Sequence, residues 1–315
     1  MRARRVPTEL IEFYRHDLAG QSTRLKFDDF LSAPYIIENG IGQGAPSSGT
    51  LYPYYNAPLI EVATDHRKSA SEAYYDDVLL LAAAPTYSEC DEILDPMGVS
   101  SRAWSRTHNS GFEESKFGVM RMHAQGRTDE KIPYNWNGTL IPHSDHIKYL
   151  GILLDEKLNF KLQAEAAATK GLKVLLACNR LTRSSFGLPH KYVKRLYESV
   201  VIPKMTYALD TWYTPIYTPP GSAHRRGSVG FSRRLGKVQR LAGILITGAL
   251  RTTANDYLDL HAHNIPIEIR LNQICHKAAL RICTLPPSHP LHPIATRAAR
   301  FHGIRRHRSS LHNLM

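Results

Sequence analysis

Ser71-Glu72-Ala73-Tyr74-Tyr75-Asp76-Asp77-Val78-Leu79-Leu80-Leu81 is the stretch on which the reading of this chain turns. Two adjacent carboxylates lie between an aromatic pair and an apolar run. That pattern suits two short strands joined by a tight turn, with the acids at its tip. Asp accepts tight turns and bonds to its own main chain, so the stretch fits a solvated hairpin turn. It fits equally a pair of carboxylates that hold a divalent cation. Local sequence leaves both readings open.

Upstream of the hairpin, Thr8 to Leu18 predicts a helix, with Thr8 placed to cap it after Pro7, an apolar face of Leu10, Ile11, Phe13, Tyr14 and Leu18, and Gly20 to stop it. Thr23-Arg24-Leu25-Lys26-Phe27 alternates like a strand, Asp28-Asp29 marks a turn, and Tyr35-Ile36-Ile37-Glu38 reads as an antiparallel partner strand. Residues 40–49 form a glycine-rich loop, and Ser48 or Thr50 is placed to cap a helix over 51–63.

Downstream, a helix is expected from Thr86 to about Trp104. A strand follows at 117–122, then a polar loop over 123–146 and a single strand over 147–154 ending in Asp155. From Leu158 the apolar period becomes helical: Leu162, Ala166, Leu172, Leu175, Leu176 and Leu181 recur at helical spacing, and a second helix follows Pro189, which Pro203 is expected to kink or end. Residues 214–231, rich in Pro and Gly, read as a linker. Beyond it come a basic amphipathic helix over 233–240, helices near 254–260, 266–284 and 291–302, and a basic tail. The expected fold class is α+β, with a mixed first half and a helical remainder.

The 315 residues are 43% hydrophobic and carry a net charge of +12. The charge is uneven: residues 1–150 hold 15 Lys and Arg against 20 Asp and Glu, while residues 151–315 hold 25 against 8. A carboxylate-bearing half beside a strongly basic half points to a polyanionic partner, nucleic acid above all. Four cysteines without paired spacing argue against a disulfide framework or a zinc site. The longest apolar run, 78–84, is too short to span a bilayer, and residues 1–7 are charged without an apolar region. An intracellular protein without membrane segments is expected, with the nucleus open as its compartment, although the short basic run at 2–5 is too common to serve as a nuclear signal.

Three ordered stretches resemble the palm of the reverse transcriptases of non-LTR (LINE-type) retrotransposons. Residues Asn39 to Ser48 are similar to that family's N-G-x-P-Q-G-S-P-L-S loop, Tyr74-Tyr75-Asp76-Asp77 to its Y/F-x-D-D hairpin, and Lys148-Tyr149-Leu150-Gly151-Ile152-Leu153-Leu154-Asp155 to its K-Y-L-G-x-x-L-D strand. The helical run from Phe160, and the segment from Lys237-Val238-Gln239-Arg240 to Thr252-Thr253, resemble its thumb and connecting region. The resemblance implies a partial polymerase palm over 1–157, a helical thumb over 158–213, the linker, and a basic helical region over 232–315.

It also implies RNA-directed DNA polymerase chemistry, in which carboxylates hold two Mg²⁺ ions about 3.5–4 Å apart. By resemblance Asp76 is a metal ligand and Asp77 its partner, Tyr75 lies near the primer terminus, and Gln43 and Gly44 lie near the incoming nucleotide or template. Lys116 falls where the family often has a Ser-Lys element, so its implied role is to neutralise or protonate the leaving phosphate. The implied partners are an RNA template, a DNA primer and deoxynucleotide triphosphates.

The chain departs from the family pattern in two ways. Gly42 stands where the family has Pro. The family's first catalytic Asp sits on a strand ahead of the helix at 8–18, so the expectation is a truncated fragment, inactive alone. Asp28 and Asp29 read as a turn rather than as its substitute. The alternative expectation is a non-catalytic nucleic-acid-binding remnant that uses Arg233, Arg234, Lys237 and Arg240, with Arg305 and Arg306 in the tail.

Overall fold

The computed structural model describes residues 1–37, 40–42, 44–122, 132–181 and 187–300, so the tail residues Arg305 and Arg306 lie outside it. The fold class is α+β, and the described strands form five antiparallel two-stranded pairs. The described residues divide into two compact units, 1–121 with 132–143, and 144–300 with Met122. Among them no helix is long and apolar enough to cross a membrane.

The first unit opens with α1, Thr8–Leu18, in which Thr8 is the first helical residue rather than the cap, and Gly20 at φ 67° ends the run. β1, Ser22–Thr23, and β4, Tyr35–Ile36, pair antiparallel. Between them β2, Lys26–Phe27, and β3, Phe30–Leu31, close on Asp28-Asp29, which is a turn as read. α2, Ser48–Ile60, begins three residues earlier than expected and carries Pro53 and Pro58 within it.

β5, Ser69–Tyr74, and β6, Asp77–Ala82, form the hairpin. Strand side chains alternate between faces, so Val78 and Leu80 share one side. Both pack against Leu59 of α2, Val62, Ala63 and the helix α3, Tyr87–Thr107, through Ile93, Leu94, Met97 and Trp104. Each apolar side chain fully buried here contributes about 1.5–3 kcal/mol. α3 starts as the sequence suggests: Thr86 Oγ1 accepts from the Glu89 amide at 3.2 Å and donates to the Glu89 carboxylate at 3.1 Å, a reciprocal cap.

Two expectations fail in the next segment. Residues 117–122 give only an isolated bridge between Val119 and His143, and part of the expected polar loop is a hairpin of β7, Tyr134–Trp136, and β8, Thr139–Ile141. Asn137 and Gly138, both at positive φ, make its turn, and Tyr134, Trp136 and Ile141 are buried beside Phe112, Phe117 and Leu94. The rest of that loop, 123–131, lies outside the described residues.

In the second unit the single strand expected at 147–154 is also a hairpin: β9, His146–Tyr149, pairs with β10, Ile152–Asp155, around Leu150-Gly151. Both turn residues take positive φ, 46° and 80°, the conformation a two-residue hairpin turn asks for. The carboxylate of Asp155 accepts from the amides of Lys157 at 3.2 Å, Asn159 at 2.9 Å and Phe160 at 2.6 Å, and so shapes the entry into α4, Lys161–Asn179.

Of the leucines expected on the apolar face of α4 only Leu175 is buried among the described residues, and small residues fill the rest of the buried face. Ala164, Ala167, Gly171 and Leu175 are buried, whereas Leu162, Leu172 and Leu176 are 43%, 38% and 49% exposed. How closely two helices approach depends on the side chains at the contact, and small ones let the axes come near. At Gly171 a Cβ would sit 3.1 Å from Met205 Sδ.

The helix after Pro189 runs as α5, His190–Leu196, widens into a π turn over Tyr197–Val201, and continues as α6, Ile202–Met205, before α7, Leu209–Trp212. Proline removes an N–H and crowds the carbonyl four residues back, and the wide turn just ahead of Pro203 absorbs that misfit, so Pro203 does not end the helix. α8, Val229–Thr247, α9, Asn255–His261, α10, Ile267–Cys283, and α11, Leu291–Arg300, complete the described chain. Tyr197, Val201, Met205, Leu209, Leu235, Ala242, Leu271 and Cys275 share one core, which therefore draws on helices from both sides of 214–231.

Residues 214–228 are not an open linker, and 229–231, expected to belong to it, are the first residues of α8. Tyr217 and Arg226 bridge antiparallel, the Thr214 amide donates to Ser228 Oγ at 2.9 Å, and the Asn272 side chain on α10 exchanges two 3.0 Å hydrogen bonds with the main chain of Ile216. The proline and glycine content marks a tightly folded loop. Gly227, at φ 97°, sits where a Cβ would meet the Pro215 carbonyl oxygen at 2.3 Å.

Candidate active site

The tip of the β5–β6 hairpin is a two-residue turn, Tyr75-Asp76, closed by the pairing of Tyr74 with Asp77. Tyr75 has φ 53°, a left-handed conformation that costs a non-glycine residue about 1–2 kcal/mol. Such strain persists only where surrounding groups determine it. Those groups lie on one stripe of α2. The Asn56 side-chain amide donates to the Tyr75 carbonyl at 2.5 Å, the Tyr52 and Tyr75 rings lie 5.8 Å apart, and a Cβ on Gly49 would be 3.5 Å from the Tyr75 hydroxyl. Three strand pairs further in, Ser71 Oγ donates to the Leu59 carbonyl at 3.0 Å.

Asp76 and Asp77 are exposed, and neither carboxylate makes a hydrogen bond or ion pair among the described residues. Asp76 nonetheless acts on its surroundings. Burial pushes the Tyr52 hydroxyl above its ordinary pKa, and the negative charge of Asp76 pushes it further. Asp77, by strand alternation, shares a face with Leu79 and Leu81 and lies opposite the core-facing Val78 and Leu80. No set of three His, Cys, Asp or Glu ligand atoms within 4.8 Å of one another includes either acid, among the described residues.

The other residues expected at this site are less gathered. Gln43 lies outside the described residues. Gly44 is exposed at φ 87°, and the loop it belongs to is drawn onto the start of α2 by Ser48 Oγ, which donates to the Gly42 carbonyl at 2.6 Å. The loop thus leads into the helix that holds the hairpin tip. Lys116 is exposed on a short 3-10 turn, Glu114–Lys116, and no hydrogen bond or ion pair among the described residues joins it to Asp76 or Asp77. Its neighbour Glu114 is occupied, accepting from Arg102 at 3.0 Å and from Thr139 Oγ1 at 2.7 Å.

On α8 the four basic residues separate by role. Arg233 and Lys237 are exposed and make no hydrogen bond or ion pair among the described residues. Arg234 faces Glu165 of α4 at 3.3 Å. Arg240 spends its guanidinium on the α8–α9 loop, donating to the carbonyls of Arg251 and Thr253 and to Asn255 Oδ1. Beside them is a cleft of about 350 Å³ lined by Arg225, Arg233, Lys237, Arg240, Gln239 and Asp259, among others. Buried Gln239 accepts from the Tyr197 hydroxyl at 2.9 Å and donates to Asp259 at 2.9 Å. Burial pushes the Asp259 carboxyl above the usual carboxylate range.

Sequence reasoning missed Tyr52 and Asn56. The signal was present, since Gly49, Tyr52, Asn56 and Leu59 recur at steps of three, four and three along α2 and place a polar amide on a buried stripe.

No family model and no solved structure matches the chain. Its sequence is similar to the RNA-directed DNA polymerase from mobile element jockey of Drosophila funebris, 22% identical over 210 residues, covering 65% of this chain and 22% of that protein. The corresponding jockey protein of Drosophila melanogaster is 24% identical over 216 residues, 65% of this chain and 23% of its own length. A retrovirus-related Pol polyprotein from type-1 retrotransposable element R1 4 of Nasonia vitripennis is 26% identical over 144 residues, 46% of this chain and 34% of its own. The chain thus spans less than a quarter of the jockey proteins and about a third of the Nasonia one. The chain is thus similar in sequence, over part of its own length and theirs, to RNA-directed DNA polymerases of non-LTR retrotransposons.

Proposed function

We propose that this chain carries part of an RNA-directed DNA polymerase, with the Tyr74–Asp77 tip as the carboxylate pair that holds Mg²⁺. The observation that carries the reading is the tip itself: two adjacent, exposed and uncommitted carboxylates on a strained two-residue turn braced by a helix. Mg²⁺ prefers hard oxygen donors and accepts one or two carboxylates, leaving its other positions to phosphate and water. Asp76 and Asp77 fit that donor set. The ions, when bound, supply activation of the primer hydroxyl and neutralisation of the departing pyrophosphate. The chain's own part is to present the two acids at the exposed tip of the hairpin, and Tyr75 beside them offers an aromatic face near the primer terminus.

On this reading the first unit is a partial palm, and α4 to α7 are the helices of a thumb. The template and primer are RNA and DNA, and the substrates deoxynucleotide triphosphates. Positioning of the ions by several carboxylates is most of such catalysis, and the described residues bring no third acid into the group formed by Asp76 and Asp77. The expected result with purified protein, primed RNA template, nucleotides and Mg²⁺ is no extension above background. Extension that disappears in Asp76→Asn would uphold the site and overturn the inactivity. Absence of any cation binding that depends on Asp76 would overturn the site.

A second reading is favoured by one observation, the uncommitted pair Arg233 and Lys237 one helical turn apart on α8. It is a nucleic-acid-binding role for the basic helical half, directed at phosphates and little dependent on sequence.

A further inference from the structure

Four residues on one stripe of α2 meet the hairpin at four successive points. Gly49 lies at the Tyr75 hydroxyl, Tyr52 at its ring, and Asn56 at its carbonyl, while the Leu59 carbonyl takes the Ser71 hydroxyl. Asn56 is the one that touches the peptide between Tyr75 and Asp76. It is 4% exposed, and a buried amide must find partners inside the protein. The partner it finds is the carbonyl of a turn residue, which has no place in the β5–β6 pairing.

That carbonyl belongs to a residue whose backbone is strained, at φ 53°. Rotating the Tyr75-Asp76 peptide would change ψ of Tyr75 and φ of Asp76, and with φ of Asp76 the direction of its side chain relative to that peptide. The hydrogen bond at 2.5 Å opposes this rotation.

We propose that Asn56 is the positioning residue of the hairpin tip: its side-chain amide fixes the Tyr75-Asp76 peptide and so sets the direction in which the Asp76 carboxylate leaves the turn. The proposal deepens the polymerase reading and rests on it for what Asp76 is aimed at. The holding of the peptide itself stands on geometry alone.

The test uses the full chain and two variants, Asn56→Leu, which removes the amide, and Asn56→Asp, which keeps the shape without a donor. Amide hydrogen exchange is followed at Tyr74 and Asp77, with β7–β8 as the internal reference. Loss of the hydrogen bond is expected to speed exchange at the tip about tenfold while β7–β8 is unchanged. Tip exchange within about twofold of the parent in a folded variant would overturn the proposal.

In parallel, Mn²⁺ is titrated as a spectroscopically visible stand-in for Mg²⁺ and followed by electron paramagnetic resonance. Asn56→Leu is expected to weaken the binding that Asp76→Asn abolishes, by about fivefold to tenfold. Unchanged Mn²⁺ affinity in Asn56→Leu, with Asp76-dependent binding intact in the parent, would overturn the claim that Asn56 directs the carboxylate. If the parent shows no Asp76-dependent Mn²⁺ binding, the polymerase reading fails, and hydrogen exchange alone then decides whether Asn56 holds the tip.

Discussion

Arg121 is only 4% exposed, and the Asp91 carboxylate takes both ends of its guanidinium, at 2.5 and 2.9 Å, while Tyr87 and Tyr134 flank it. A buried charge whose partner is removed stays buried and uncompensated. Asp91→Ala is therefore expected to destabilise the fold by about 3 kcal/mol, measured by chemical denaturation. Arg240 is a gentler case, because its donors go to main-chain carbonyls and Asn255 in a loop that is partly solvated. Arg240→Ala should cost about 1–2 kcal/mol, whereas Arg233→Ala should leave stability within about 0.5 kcal/mol of the parent. Equal losses in the two variants would remove the distinction drawn between them.

The cysteines offer a chemical check on the core. Burial, with a smaller effect from the Asp210 charge, pushes the Cys275 thiol up to about 12, and the side chain is fully buried, whereas Cys283 is exposed. A thiol whose folded pKa is raised contributes stability that is fully present below its ordinary pKa and is lost progressively as pH rises from there through the folded value. At about pH 8 iodoacetamide should label Cys283 in the native protein and Cys275 only after unfolding, read by mass spectrometry.

At the scale of elements, places where a glycine lets another element come close carry the clearest consequences. α3 passes β7 so closely that a Cβ on Gly98 would lie 2.7 Å from Trp136 Nε1 and 2.9 Å from its Cδ1. Gly98→Ala is expected to cost about 1–3 kcal/mol by overpacking and to shift the Trp136 fluorescence. A stability equal to the parent's would mean that the indole moves aside without loss. The hairpin tip is governed by the same kind of fit, since α2 reaches it through a glycine, a tyrosine and a buried amide.

At the scale of the whole molecule, charge is the informative property. The chain carries +12, with 25 Lys and Arg against 8 Asp and Glu after residue 150. Affinity for single-stranded RNA is expected to fall steeply with salt, because bound cations release counterions from phosphate. Replacing both Arg233 and Lys237 by Ala should weaken binding similarly for all sequences and reduce the salt slope by about 2, whereas Arg234→Ala, whose side chain faces Glu165, should change it less. A salt-independent affinity would exclude the phosphate-directed reading.

What the sequence determined by itself is what local chemistry fixes. α1 was legible because a proline precedes it, a glycine follows it and its apolar residues keep helical spacing. The hairpin at Tyr74–Asp77 was legible because strand-like residues bracket two turn-prone acids, although the turn itself is Tyr75-Asp76 and Asp77 opens β6, and α9, α10 and α11 were legible from their periodicity. The hairpin at Leu150-Gly151 was hidden because its turn lies inside an apolar run, and backbone sign is not written in hydropathy.

Tertiary structure decided the rest. On α4 it buried Ala164, Ala167 and Gly171 with Leu175 and left Leu162, Leu172 and Leu176 exposed, since helix approach rewards small side chains. It turned a proline-rich segment into a pinned loop through Asn272 on a distant helix. It gave Asp155 to the amides that lead into α4, and it brought Asn56 to a peptide 19 residues away, a pairing no local pattern encodes. Side-chain direction across sequence distance is set by packing, and so the sequence could show where the two acids stand but not what aims them.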